Sequence, residues 1–475
     1  TLSSSSAASD VYKRQLLYSP RRSAAPGPAL KPKLNLLLLG IDSLRADHMS
    51  CYGYHRLTTP HMDSIASNGV LFENAYSPYI PTTPGYTAML TGTDVMTNQM
   101  VSLGPKGPIP ESIKLLPEIL HEKGYRSACI GFDTPFYRGF DKYETYHAWM
   151  AWEDAPGHKA EALNEKALPA LEQMADGPFL LFLRHMDPHS PYLPPPPFDR
   201  MFYDKDPCDP SVNTMKPVFD FAPFAEFFKS WMPPGITDIE WVVARYDSSL
   251  AYMDACIRRI FTRLEELGVM ENTLIVITSD HGETLTEHDI YFDHHGLYEP
   301  TIHIPLIYCL PGLVPEGRRI KGYVLQQDLT PTILDLLGYR GLARKLGMDG
   351  KSAVPLMEGR RVTNYSEFYL TECTWMRKRG WRTPHYKLID ALEPDFHHKP
   401  AVELYDLVED PLENHNIAQD RPEVVAAMKK AMEDWVKKRL AQTGKGDPIL
   451  DYQIGLDRRI GSIKSAREMQ AAGKK

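Results

Sequence analysis

Several polar residues in this sequence directly follow apolar runs of strand length. Asp42 follows Leu34-Asn35-Leu36-Leu37-Leu38-Leu39-Gly40-Ile41, and Asp280 and His281 follow Leu274-Ile275-Val276-Ile277-Thr278. Asp187 and His189 follow Phe179-Leu180-Leu181-Phe182-Leu183. In open α/β sheets, ligands bind outside the carboxyl ends of the strands. Three strands would therefore bring carboxylate and imidazole groups to one edge. Carboxylates crowded together repel unless a cation neutralises them, so this pattern points to a metal. Each residue alone is a weak signal, because an aspartate after a strand often only caps a helix. The convergence of three strand ends carries the reading.

A second signal is Pro81-Thr82-Thr83-Pro84-Gly85-Tyr86-Thr87-Ala88-Met89-Leu90-Thr91-Gly92. Pro84 suits the first turn of a helix, where its missing N–H costs nothing. Thr82 is then expected just before the helix, beside free backbone N–H groups and the positive dipole end. That is a setting for phosphate or sulfate. One of Thr82 and Thr83 is expected to cap the helix, leaving the other free to act.

The elements that must position these residues alternate along the chain. Strand-like runs at Arg126–Ile130, Phe179–Leu183 and Thr273–Thr278 are separated by helical patterns. The helices are expected from Pro60 through Ile65, over Glu111–Lys123, over Ala160–Met174 and over about Thr237–Leu267. Alternation of this kind predicts a doubly wound, mostly parallel sheet with helices on both faces. The proline-rich stretch from Leu193 to about Pro234 cannot be a central strand and reads as a surface excursion walling the site. After Gly338 the elements shorten: strands over Trp381–Ile389 and Val402–Leu407 and a helix over Pro422–Leu440 describe a smaller α+β subdomain. The resulting division is an N-terminal segment 1–31 that is disordered or non-native, a catalytic domain 32–340, and a C-terminal subdomain with tail 341–475.

Composition narrows the class. The 475 residues carry a formal net charge of −8, with 43% hydrophobic and 24% charged residues. This is a globular balance without the basic footprint that a nucleic-acid partner needs. No apolar run approaches the roughly 18 to 20 residues that span a bilayer, so no membrane partner is expected. The six cysteines show no CxxC pairing, which suits small buried hydrophobes in a reducing, cytoplasmic setting. A homo-oligomer is left open.

The ordered motifs resemble the sulfatase family of the alkaline phosphatase superfamily. Asp42-Ser43-Leu44-Arg45-Ala46-Asp47-His48 with Cys51-Tyr52-Gly53-Tyr54 is similar to the family's opening metal motif, and Thr59-Pro60-His61-Met62-Asp63 continues it. Ser279-Asp280-His281-Gly282-Glu283, Glu287-His288 and Gly296-Leu297-Tyr298-Glu299 resemble the second metal motif. Gln327-Asp328-Leu329-Thr330-Pro331-Thr332 and Leu404-Tyr405-Asp406-Leu407 match late markers. The resemblance implies an alkaline-phosphatase/sulfatase-like fold. It also implies one divalent metal on Asp42, Asp280 and His281, with Thr82 as nucleophile and further ligand. His189 resembles the histidine of the substrate pocket. His295 is taken as the group near the leaving group or the sulfuryl oxygens, with His294 as the competing choice. Tyr86, Asp187 and His294 are expected to line the substrate site.

The departures from the family pattern are specific. Sulfatases carry Cys or Ser two residues before the motif proline, matured to formylglycine, and Arg two residues after it; here those positions are Thr82 and Tyr86. The lysine and histidine after the next strand are replaced within Gly131-Phe132-Asp133-Thr134-Pro135, and Ser43 stands for a second aspartate. A threonine cannot give the aldehyde, but its hydroxyl near a metal can attack phosphorus directly. An imidazole ligand in place of an amide favours Mn or Zn, with Ca still admissible. A second metal on Asp187, His189 and His295 is a further expectation. The leading expectation is a hydrolase of phosphate mono- or diesters or phosphonate esters, acting on a small-molecule or carbohydrate-like anionic substrate. The alternatives are a sulfuric ester hydrolase working without formylglycine, a metal-binding pseudoenzyme, and a transferase.

Overall fold

The computed structural model describes residues 33–104, 107–132, 138–148, 155–230, 232–395 and 397–451. The segment 1–31 expected to be disordered or non-native lies outside the described residues. An eight-stranded sheet runs, from edge to edge, through Arg318–Ile320, Val70–Phe72, Leu306–Cys309, Thr273–Ser279, Asn35–Ile41, Phe179–His185, Arg126–Gly131 and Lys142–Thr145. The three strands that precede the candidate site residues are adjacent at its centre, and both pairings of the Asn35–Ile41 strand are parallel. Ile41 lies opposite both His185 and Ser279, so Asp42 and Asp280 begin at the same height.

Continuous apolar strands arise because both faces are covered. Leu37, Leu39 and Ile41 pack into a core shared with the helices Lys159–Met174 and Ile239–Glu266. Leu36 and Leu38 pack into a second core with Tyr86, Met89 and Leu90 of the Thr82–Thr91 helix and with the Leu329–Leu336 helix. The expected mostly parallel, doubly wound sheet is therefore present, with antiparallel pairing only around Leu306–Cys309 among the described strands of this sheet.

Two expected elements differ, both because of proline. The helix anticipated over Glu111–Lys123 is only Leu116–His121, since Pro117 fits a first turn and not a helix interior. The strand anticipated over Trp381–Ile389 is two antiparallel strands, Arg377–Arg382 and Tyr386–Ala391. Pro384 between them cannot donate to the ladder, and Thr383 N–H donates to Tyr386 O instead, at 2.9 Å.

These strands belong to a five-stranded sheet in the order Val402–Asp406, Tyr386–Ala391, Arg377–Arg382, Phe368–Cys373 and Tyr79–Ile80. The Pro422–Thr443 helix covers it, with Trp435 stacked on Tyr369 at 4.7 Å between ring centroids. The edge strand Tyr79–Ile80 leads directly into the Thr82–Thr91 helix, so the smaller sheet helps to place that helix. Gly85 lets the helix approach the centre of the large sheet. A Cβ there would meet the Asp280 carbonyl oxygen at 2.7 Å, and that backbone cannot yield.

Gly85→Ala is therefore expected to destabilise the protein by about 1–3 kcal/mol, by overpacking at a fixed backbone contact. Denaturant unfolding of the two proteins measures this, and equal midpoints would show that the helix shifts at no cost.

Candidate metal-centred active site

Asp42, Asp280 and His281 come together at the carboxyl ends of the adjacent Asn35–Ile41 and Thr273–Ser279 strands. One ligand atom from each lies within 4.8 Å of the others, and all three residues are buried. His281 Nε2 is 3.5 Å from Asp280 Oδ2 and 3.8 Å from Asp42 Oδ1. His281 Nδ1 lies 2.8 Å from Gly282 O, which can only accept, so Nδ1 carries the proton and Nε2 faces the carboxylates. Ser279 ties the two strand ends together: its hydroxyl donates to Ile41 O at 2.6 Å, and Leu44 N–H donates to it at 3.2 Å. Gln326 Nε2 donates to Ser279 O at 2.7 Å and fixes the same turn.

The residues present fit a divalent cation. Asp280 Oδ2 is buried with no hydrogen-bond partner, a costly state for a carboxylate oxygen unless something positive sits on it. Burial and the neighbouring Asp42 push the Asp280 carboxyl up to about 7, against the opposing pull of His281 and Arg184. Two carboxylates and one imidazole are a donor set that divalent cations take. The structure does not assemble the second set considered above. Asp187 is held by Ala160 N–H at 3.1 Å and lies 3.7 Å from the buried Lys159 ammonium. His295 is bound elsewhere.

Thr82 is the first residue of the Thr82–Thr91 helix and not the residue before it. Its Oγ1 lies 3.1 Å from His281 Nε2. Neither threonine caps the helix: the residue preceding it is Pro81, and Thr83 Oγ1 donates to Leu103 O at 3.0 Å. A proline carries no side-chain acceptor, and Thr83 turns to a neighbouring loop. Thr82 keeps 9% of its surface accessible while Thr83 keeps none, so Thr82 is the hydroxyl a substrate can reach.

The histidines resolve the choice left open by the sequence. His294 stacks on His281 at 4.5 Å and lies 5.7 Å from His189, so these two half-buried rings border the metal-ligand group. Burial holds both below the ordinary histidine range. His295 points the other way. It is fully buried, with Nδ1 2.5 Å from Glu372 Oε1 and Nε2 3.5 Å from Asp395 Oδ2. It is thus not beside the reacting centre, because successive residues of an extended loop face opposite sides. Lys159 Nζ donates to His189 O at 2.8 Å and sets the turn that carries His189.

Tyr86 and Asp187 do not line a substrate site. Tyr86 is fully buried one helical turn below Thr82 and donates to Gly40 O at 3.2 Å. Asp187 is committed to Lys159 and the start of the Lys159–Met174 helix. The sequence reading missed Arg184, whose guanidinium lies over the Tyr86 ring at 4.4 Å and the Phe132 ring at 4.3 Å. It donates to Phe132 O and to Tyr143 OH, each at 3.2 Å. Its place inside an apolar strand, one step before His185, was the available signal.

A mostly parallel sheet of this order, with acidic and imidazole side chains at its central strand ends, is an α/β fold of the alkaline phosphatase type. The chain belongs to the sulfatase family. It matches the family described as Sulfatase over residues 34–339, and the one described as N-sulphoglucosamine sulphohydrolase, C-terminal, over residues 286–439. It is 24% identical to an N-acetylglucosamine-6-O-sulfatase of Bacteroides thetaiotaomicron, the alignment covering 81% of this chain and 82% of the relative. It is 26% identical to the multifunctional alkaline phosphatase superfamily protein PehA of Trinickia caryophylli, over 69% and 77% of the two chains. The crystal structure of a phosphonate monoester hydrolase of Agrobacterium radiobacter superposes with a TM-score of 0.67 at 19% identity, over 86% of this chain and 96% of that one. With its family, the chain is a hydrolase of sulfuric or phosphoric ester bonds.

Metal binding should release protons, because Asp280 holds its proton to about pH 7 in the metal-free protein. Below pH 7 the cation must displace that proton and the one that the two carboxylates hold on His281, so affinity falls as pH drops, approaching about a hundredfold per unit where both groups are protonated. It levels off once both groups have lost their protons. Titration calorimetry with Mn in buffers of different ionisation enthalpy measures both quantities. Arg184→Met should move the onset to higher pH, and a pH-independent affinity in the wild type would contradict the assignment.

Proposed function

We propose that this chain hydrolyses phosphorus-centred anionic esters (phosphate mono- or diesters or phosphonate monoesters) with Thr82 as the nucleophile. The observation that carries this reading is the Thr82 hydroxyl at the start of a helix, 3.1 Å from His281 in the metal-ligand group. A divalent cation held by Asp42, Asp280 and His281 would supply charge that lowers the hydroxyl pKa and offsets the negative ester. Thr82 Oγ attacks phosphorus and loses its proton, the ester P–O bond breaks, and the departing alkoxide takes a proton. His294 and His189 border the place where that oxygen leaves; as a neutral imidazole, either can take up the proton that Thr82 loses and pass it to that oxygen. The products of this first half are an alcohol and a Thr82 phosphoester. Water then attacks phosphorus, breaks the bond to Thr82 Oγ and restores the hydroxyl.

The backbone N–H groups at the start of the Thr82–Thr91 helix suit the non-bridging oxygens of the transferred group. The threonine favours phosphorus because it needs no maturation to an aldehyde. The likeness to PehA and to the phosphonate monoester hydrolase agrees with this, and the likeness to the N-acetylglucosamine-6-O-sulfatase supports a carbohydrate-like leaving group. A second reading, a sulfuric ester hydrolase working without formylglycine, is favoured by the family match itself.

Metal-stripped protein reloaded with Mn, Zn or Ca is to be assayed on aryl phosphate, aryl phosphodiester, aryl phosphonate monoester and aryl sulfate. Turnover of the phosphorus esters should exceed that of the sulfate. Thr82→Ala should lose on the order of 10⁴-fold or more in kcat with near-normal metal content. A preference for the sulfate would replace the first reading with the second, and a Thr82→Ala enzyme that still turns over would move the nucleophile elsewhere.

A further inference from the structure

The loop that carries His294 is tied at Asp293 to Thr284 by a backbone bridge and at Gly296 to Thr301, and its side-chain anchors come from the smaller sheet. Glu372 Oε1 accepts Gly296 N–H at 2.9 Å and lies 2.5 Å from His295 Nδ1. Trp375 Nε1 donates to Asp293 Oδ2 at 2.6 Å, and Thr374 Oγ1 donates to His294 O at 3.4 Å. Asp395 Oδ2 lies 3.5 Å from His295 Nε2 and 2.5 Å from Lys378 Nζ. Both residues flanking His294 are thus pinned to the Phe368–Cys373 and Arg377–Arg382 hairpin.

The same strand also reaches Thr82. Glu372 is the register partner of Ile80, two residues before Thr82, and Thr371 N–H donates to Pro78 O at 2.9 Å. One strand therefore sets both the residue that attacks and the ring beside His281.

The means of attachment calls for a reason. His295, Glu372 and Lys378 are fully buried, and Asp395 nearly so. A buried set of two acids and two bases is seldom more stable than apolar side chains of the same volume. It does fix geometry, since each member tolerates few partners and few directions. Leucines would hold the two sheets together but would leave the loop free to slide.

We propose that Glu372 is a positioning residue, which acts through His295 and Gly296 to hold the His294 ring against His281 at a fixed place relative to Thr82. Trp375 secures the same loop through Asp293. This inference rests on the proposed function, in which His294 borders the leaving oxygen.

The test uses the full chain and two variants. In the metal-free protein, the imidazole C–H resonance of His294, assigned with His294→Asn, reports the stacking on His281. Glu372→Gln keeps an acceptor for Gly296 but removes the charge facing His295. Trp375→Phe keeps a ring at a half-buried position and removes only the donor. Both variants should shift the His294 resonance and lower kcat about tenfold, with KM for the best ester and Mn affinity within about twofold of wild type. An unmoved resonance, an unchanged kcat, or a parallel loss of Mn affinity would overturn the proposal. If Glu372→Gln fails to fold, Trp375→Phe decides alone. A wild type inactive on every ester would sink the proposed function, and the resonance would still judge the positioning.

Discussion

Two carboxylates buried at neighbouring strand ends are the constraint around which this molecule is arranged. Removing Asp42 and Asp280 from water costs several kcal/mol each, and their mutual repulsion adds to it. A parallel sheet places them together, because Ile41 and Ser279 are register partners and the next residue on each strand is an aspartate. The neighbours respond to that charge. His281 turns its Nε2 toward both acids, with burial opposing its proton and the two carboxylates holding it, so its pKa rises. Ser43 adopts a positive φ of 60° and donates to Asp42 Oδ1 at 3.0 Å, a strained conformation tolerated where the turn must bring a hydroxyl to a carboxylate.

The second requirement is that the Thr82 hydroxyl and the rings of His294 and His189 meet this group from separate parts of the chain. The Thr82–Thr91 helix comes close because Gly85 has no Cβ, and it is aimed by the short Tyr79–Ile80 strand at the edge of the smaller sheet. His189 is set by Lys159 from the opposite face of the large sheet. The smaller sheet is thus structural support for the site and is covered in its turn by the Pro422–Thr443 helix. This explains why it can be polar inside: its buried charges serve direction, which apolar packing cannot supply.

The sequence made much of this legible because strands buried on both faces leave uninterrupted apolar runs, and the residue ending each run is at the ligand-binding edge. Asp42, Asp280 and His281 could be found that way. Which of His294 and His295 faces the centre could not, since adjacent loop residues differ by half a turn and nothing local fixes the phase. That phase is set by Glu372, almost eighty positions later in the chain. Tyr86 was misplaced because the helix begins at Thr82, which puts position 86 one turn below and into the core. The helix and strand that proline truncated, near Pro117 and Pro384, were readable from the residues themselves, had the ring's missing N–H been given priority over the surrounding pattern.

Arg184 shows how the departures from the family pattern fit together. The pattern expects an arginine where Tyr86 stands and a lysine in the segment that holds Phe132. Both places carry aromatic rings, and the Arg184 guanidinium lies over both of them, 4.4 and 4.3 Å away. A guanidinium stacks well on such faces and remains charged in their company, which an ammonium would do less readily. The positive charge therefore stands on the Phe179–His185 strand, directly opposite Gly40, and not on the helix or the loop. From that place its charge opposes the rise of the Asp280 carboxyl, and its Nη1 is already engaged by Phe132 O and Tyr143 OH. Among the described residues, the groups bordering the open side of the centre are then a threonine hydroxyl and two imidazoles held neutral by burial. Such a border tolerates a single negative charge more easily than two. For the proposed hydrolysis of phosphorus esters, this is the reason to expect diesters and phosphonate monoesters to be turned over ahead of phosphate monoesters.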